Sequence, residues 1–150
     1  MGDTDSPEFR RKSLESYVAL FGVQDAAGLA ALFADDAVIE DPVGKPARVG
    51  RESIEAFFTG AAARVRYAAA QAPVRGSHSR FAAVPLIFVT ESDGVWQRVA
   101  AVDVMEFNTA GQIVHMRAFH GPEDREELSA EAAYAIIEDG AVTPPATPHP

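Results

Sequence analysis

The chain reads as an α+β protein: helices come first, an antiparallel meander of strands follows, and the helices pack on one face of a curved sheet. Three observations predict this. Apolar residues recur at helical spacing in three segments before residue 64. From residue 65 the pattern changes to strand-like runs. The turn signals "GSHS", "ESDG" and "NTAG" separate those runs. With 150 residues, 47% of them apolar, the chain can enclose one core and a small-molecule cavity.

The first helix starts at Ser6-Pro7-Glu8, which supplies an N-cap oxygen, a proline at the first helical position and an acid at the positive end of the dipole. Its buried stripe is Leu14, Tyr17, Val18 and Phe21. Asp25 caps a short second helix with Leu29, Leu32 and Phe33 inward; Asp35-Asp36 closes it and "AVIED" opens an extended segment. After the loop "GKPARVG" comes a third helix, "RESIEAFFTGAAA", with Ile54, Phe57 and Phe58 inward. The strands are "VRYAAAQAPV", "RFAAVPLIFVT", "VWQRVAAVDVMEF" and "QIVHMRAFH". Residues 1–125 form the domain, and 126–150 a C-terminal extension. In "PEDREELSAEAAYAIIEDG" one or two short helices are expected, with Ser129 as N-cap and Gly140 as stop. The tail "TPPATPHP" has nothing to bury and is expected to be disordered.

The balance of charge narrows the partners. Lys plus Arg number 13 against 22 Asp plus Glu, a net charge of −9. Nucleic-acid binding needs basic clusters that displace counterions, and none is visible. An uncharged ligand is the expected partner. The absence of cysteine excludes disulfides, thiolate metal sites and a cysteine nucleophile. The first 20 residues lack the apolar block of a signal peptide. "FAAVPLIFV" is far short of the ~20 residues of a spanning helix. A cytoplasmic protein without a membrane partner is expected. His78, His115, His120 and His149 form no i, i+4 pair, so neither a metal nor another cofactor is expected.

Three residues stand out chemically. In "VAAVDVMEF", Val99, Ala101, Asp103, Met105 and Phe107 share one strand face, which places an acid in an apolar row. An ionised carboxylate there is costly unless paired, so the group favours its neutral form. In "AVIEDP", Asp41 shares a face with Ile39 whereas Glu40 points the other way, so the adjacent acids cannot work as a pair. Pro42 holds Asp41 extended, although Asp41 alone reads equally as an Asp-Pro turn starter. Tyr17 is a phenol in a buried stripe; taken alone, it reads as a core tyrosine bonded to a backbone carbonyl. One base and two neutral donors are what proton abstraction beside a ketone requires.

The residues then resemble a family. "ALFADDAVIEDPVG" is similar to the ADDA-x-x-EDP-x-G segment of the steroid delta-isomerases (ketosteroid isomerases) of the nuclear-transport-factor-2-like superfamily. "GRESIEAFF" resembles their next helix, and "APVRGSHSRFAAVP" with "VDVMEFNTAGQIVHMRAF" their second half. The resemblance covers roughly residues 14–121. It implies a cone-shaped, curved sheet on three N-terminal helices with an interior apolar pocket, and a homodimer formed through the outer sheet face. It implies Asp41 as base, Tyr17 as phenolic donor and Asp103 as protonated acid, acting on a 3-oxo-5-ene steroid to give the conjugated 4-ene isomer. The pocket wall it implies comprises Phe33, Phe58, Val84, Leu86, Phe88, Ala101, Met105, Met116, Ala118 and His120. Two departures matter. Phe33 and Phe58 stand where well-studied members often carry tyrosines bonded to the phenolic donor, and His120 stands for a wall aromatic that is often tryptophan. A polyketide-cyclase-like enzyme of the same superfamily and a catalytically idle binding protein are the alternatives. The buried strand acid favours the isomerase, because a cyclase needs no such group.

Overall fold

A computed structural model describes residues 3–142. Helix α1 spans Pro7–Gly22, and Ser6 caps it by accepting the Phe9 N–H at 3.1 Å. Helix α2, Ala26–Ala31, is capped by Asp25, which accepts the Gly28 N–H at 2.8 Å. Strand β1 (Phe33–Glu40) and the two-residue β2 (Arg48–Val49) lead into α3, Arg51–Arg64. Strands β3 (Val65–Ala70), β4 (Phe81–Ser92), β5 (Val95–Phe107) and β6 (Ile113–Phe119) follow. A 3-10 turn at Pro122–Asp124 precedes β7 (Arg125–Leu128) and α4 (Ala130–Val142).

The α+β class is the one the periodicities predict: a curved, mixed, seven-stranded sheet packs against the helices. Its order is β2-β1-β6-β5-β4-β3, with β7 on β5. All pairings are antiparallel except β1 with β6. Thirteen-residue β5 organises the sheet. One of its edges pairs with β4 from Val95 to Glu106, while the other takes β6 over residues 102–107 and β7 over 96–99. The inner face of β4 and β5 and the stripes of α1 and α3 form one core with Leu14, Tyr17, Phe21, Ile54 and Phe58.

Two local expectations are corrected. Phe33 is not on the inner face of α2; it begins β1 and pairs with Ile113 of β6. Long-range pairing overrides the local helical spacing, and a register shift between Phe33 and Val38 leaves Asp35 and Asp36 exposed. The segment after residue 121 is also more than helices, since β7 is a strand. "REEL" carries no alternating pattern, and what holds it is the backbone edge of β5 that β6 leaves free.

Helix α4 has Ser129 as its cap, accepting the Ala132 N–H at 3.1 Å, and continues past Gly140 to Val142. It lies against β3, β4 and β5. Tyr134 packs on Trp96 with ring centroids 5.2 Å apart. At Gly140 a Cβ would collide with the Tyr67 phenol, so any larger residue there has to displace that ring. Val89, which alternates away from the inner face, is fully buried on this side. The Pro-rich tail falls outside the described residues.

Candidate active site

Strand alternation carries the sequence's odd acid into the core. Asp103 is 1% exposed, between Val84 of β4 and Ala118 of β6 in the sheet register. The Tyr17 hydroxyl, from the buried stripe of α1, donates to Asp103 Oδ2 at 2.9 Å and lies 3.4 Å from Met116 Sδ. Among the described residues, Asp103 Oδ1 is the one buried side-chain oxygen or nitrogen without a partner. Burial away from water pushes the Asp103 carboxyl up to about 8, and the negative charge of Asp41 adds to the shift; the Tyr17 hydrogen bond opposes it. Burial likewise holds the Tyr17 phenol well above its usual range, reinforced by the charges of Asp103 and Asp41. At neutral pH both groups are therefore hydrogen-bond donors rather than anions.

Asp41 arrives by a different route. The parallel pairing sets Ile39 beside Met116 and Glu40 beside Arg117, and the Val43 N–H bonds the Ala118 carbonyl at 2.9 Å. The chain is thereby led along β6 toward His120, across a cis Asp41–Pro42 bond. His120 Nε2 lies 2.9 Å from Asp41 Oδ1. A carboxylate can only accept, so the imidazole presents its Nε2 hydrogen to it. Glu40 points to the other face, as the alternation predicts, where His115 Nε2 lies at 2.6 Å and Arg117 Nε at 3.4 Å.

Asp41, Pro42 and His120 line a cavity of about 450 Å³ whose apolar wall includes Phe21, Phe57 and Phe88. That volume is within the range of small-molecule sites. Of the ten residues expected in the wall, Phe88 and His120 line it. Phe33, Phe58, Val84, Leu86, Ala101, Met105, Met116 and Ala118 do not; they are buried behind it. Aromatic packing is the reason. Phe21 lines the cavity, and its ring meets Tyr17 at 5.1 Å, Phe88 at 5.2 Å and Phe58 at 6.0 Å. Tyr17 and Asp103 thus sit one ring deeper than the open space. Phe58 meets the Tyr17 ring at 6.4 Å and Phe33 at 5.1 Å, supplying rings and no hydroxyl.

Sequence reasoning missed the polar end of the cavity, where Thr90, Gln97, Arg64 and Arg125 contribute. Extending the inner-face alternation of β4 and β5 reaches Thr90 and Gln97, but no local pattern marks Arg125. It also missed the contact between His120 and Asp41, which depends on a parallel pairing between segments 79 residues apart.

Helices closing a curved mixed sheet define the nuclear-transport-factor-2-like class. Within it the chain belongs to the SnoaL-like domain family, whose model matches residues 14–116. It is 42% identical over 101 residues to a steroid delta-isomerase of Nocardioides simplex, a match covering 65% of this chain and 78% of that one. The solved structure of SalBIII, described as an epoxide hydrolase/cyclase-like enzyme in pyran ring formation in the polyether salinomycin, superimposes with a TM-score of 0.74. Identity to it is 25%, over 81% of this chain and 97% of that one. No described helix is long and apolar enough to cross a membrane.

Proposed function

We propose that the protein is a steroid delta-isomerase that converts 3-oxo-5-ene steroids to 3-oxo-4-ene steroids. The observation that carries this reading is the unpartnered Oδ1 of a buried Asp103 whose Oδ2 accepts from Tyr17, in surroundings that push its carboxyl up to about 8. Asp41 removes a proton from carbon 4, and the electron pair moves onto the ketone oxygen to give a dienolate. Asp103 donates its hydrogen bond to that oxygen, and the Tyr17 hydroxyl hydrogen turns onto the same atom. The proton held by Asp41 then returns to carbon 6, so no atom is gained or lost. Ligand entry to the donors moves Phe21, the ring that lines the cavity in front of Tyr17. His120 acts as a positioning residue, holding the Asp41 carboxylate toward the cavity. No metal or other cofactor takes part in these steps. We place the protein in the cytoplasm as a homodimer joined through the outer sheet face.

The likeness to SalBIII favours a second reading, a polyketide-cyclase-like enzyme of the same superfamily. One assay separates the two. A 3-oxo-5-ene steroid is mixed with the protein, and the ultraviolet absorbance of the conjugated product is followed. Turnover is expected, with a loss of two orders of magnitude or more in Asp41→Asn, consistent with removal of a positioned general base. Tight binding of a phenolic steroid without turnover would point to a binding protein. No steroid binding at all would leave the cyclase.

A further inference from the structure

The cavity changes character along its length. On the inner face of β4 and β5, Leu86 pairs with Ala101 and Phe88 with Val99, and then Thr90 pairs with Gln97. The apolar ladder that begins at Asp103 therefore turns polar at Gln97. Six strand residues from Asp103 to Gln97 span about 20 Å, and four residues to Val99 about 13 Å. Two arginines flank the polar rung from opposite edges. Arg64 ends α3 next to Val65, which pairs with Thr90. Arg125 opens β7 opposite Val99, and its Nη1 donates to Gln97 Oε1 at 3.1 Å.

Arg64 and Arg125 line the cavity, as does Arg48, whose guanidinium lies over the Phe57 ring, and none of the three has a carboxylate partner among the described residues. In a chain with nine more negative than positive charges, acids to neutralise them are plentiful. Nearby Glu91 is taken by Arg66 at 3.0 Å, and Glu127, opposite Gln97, does not line the cavity. The one carboxylate in the lining is Asp41, which His120 holds.

Building on the isomerase reading, we infer that the natural ligand carries a carboxylate at the end remote from its ketone, received by Arg64 and Arg125. With Phe21 moved aside and the ketone at Asp103, four fused rings extend past Val99 and Phe88, which line the cavity. A side chain on the last ring then completes the span to the arginines. The substrate class is a 3-oxo-5-ene steroid bearing a side-chain carboxylic acid, in place of the uncharged ligand that the overall charge suggests.

The test compares two unreactive probes by calorimetry at pH 7: a 3-oxo-4-ene steroid with a side-chain carboxylic acid, and its methyl ester. The acid is expected to bind on the order of tenfold more tightly at low salt, as a carboxylate within reach of two exposed arginines allows. That ratio should collapse toward one in the double variant Arg64→Gln/Arg125→Gln, and shrink at high salt. Equal affinities in the unmodified protein, or a ratio that survives the double variant, would overturn the anion site. The matching 5-ene acid and ester are assayed for turnover alongside. Turnover of both without discrimination removes the anion site and keeps the isomerase, whereas acid-selective binding without turnover does the reverse. If neither steroid binds, a long-chain fatty acid and its methyl ester replace them, and failure to prefer that acid also overturns the site.

Discussion

Asp103 concentrates the chemistry of the molecule in one side chain. In the folded chain it keeps its proton up to about pH 8, whereas its ordinary value is 3.8. Between those values the unfolded chain binds fewer protons than the native one. Folding stability therefore falls as pH rises through that window, by up to about 1.4 kcal/mol per pH unit, and the loss is complete above the native value. Asp103→Asn does not titrate. The difference in urea midpoint between variant and parent should accordingly shift in the variant's favour from pH 5 to 8 and then level off; parallel curves at every pH would show that residue 103 has no raised pKa. Turnover should report the same proton. The parent is expected to lose rate above about pH 8, and Asp103→Asn, which still offers an N–H, should lack that alkaline limb. Asp103→Leu offers no donor and should lose about two orders of magnitude in kcat. A loss of only two- or threefold in the leucine variant would remove Asp103 from the reaction.

At the scale of elements, β5 and α4 divide the work. One face of β5 presents Asp103, Ala101, Val99 and Gln97 to the interior, and the other is covered in part by α4. Ser129 is the capping contact of α4, and replacing a serine cap by alanine costs about 1 kcal/mol. Trp96, the single tryptophan of the chain, packs at a tilt against Tyr134 of that helix and reports its docking directly. Ser129→Ala should loosen α4 and shift Trp96 emission to longer wavelength in the absence of denaturant. An unchanged spectrum, with unchanged near-ultraviolet dichroism, would mean that the helix is held without its cap. How the elements became legible differs along the chain. The strand "VWQRVAAVDVMEF" stands out from its own alternation and spans the same residues in the structure. Strand β7 does not, because "REEL" carries no apolar alternation and its ladder to β5 is a pairing of backbone groups.

On the outside of the whole molecule, α4 leaves part of the sheet uncovered. Val102 and Phe119 are cross-strand partners there, 44% and 41% exposed. A second copy seated on this face would bury them, in keeping with the proposed homodimer. Sedimentation should give twice the chain mass, and Phe119→Glu, which places a charge in that patch, should give the monomer. A parent chain that sediments as a monomer at tens of micromolar would end the dimer proposal.

By itself the sequence determined the period of each long element, hence the α+β class and the face on which Asp103, Asp41 and Tyr17 lie. Side-chain direction follows local backbone geometry, and the order of apolar and polar residues records it. The approach of Tyr17 to Asp103 across 86 residues, and of His120 to Asp41, was decided only in three dimensions. The same is true of the aromatic rings that separate the donors from the open cavity and of the two arginines at its far end. Those relations depend on which strand edges pair and how the helices settle on the sheet, and such contacts join segments whose separation in the chain carries no periodic signal.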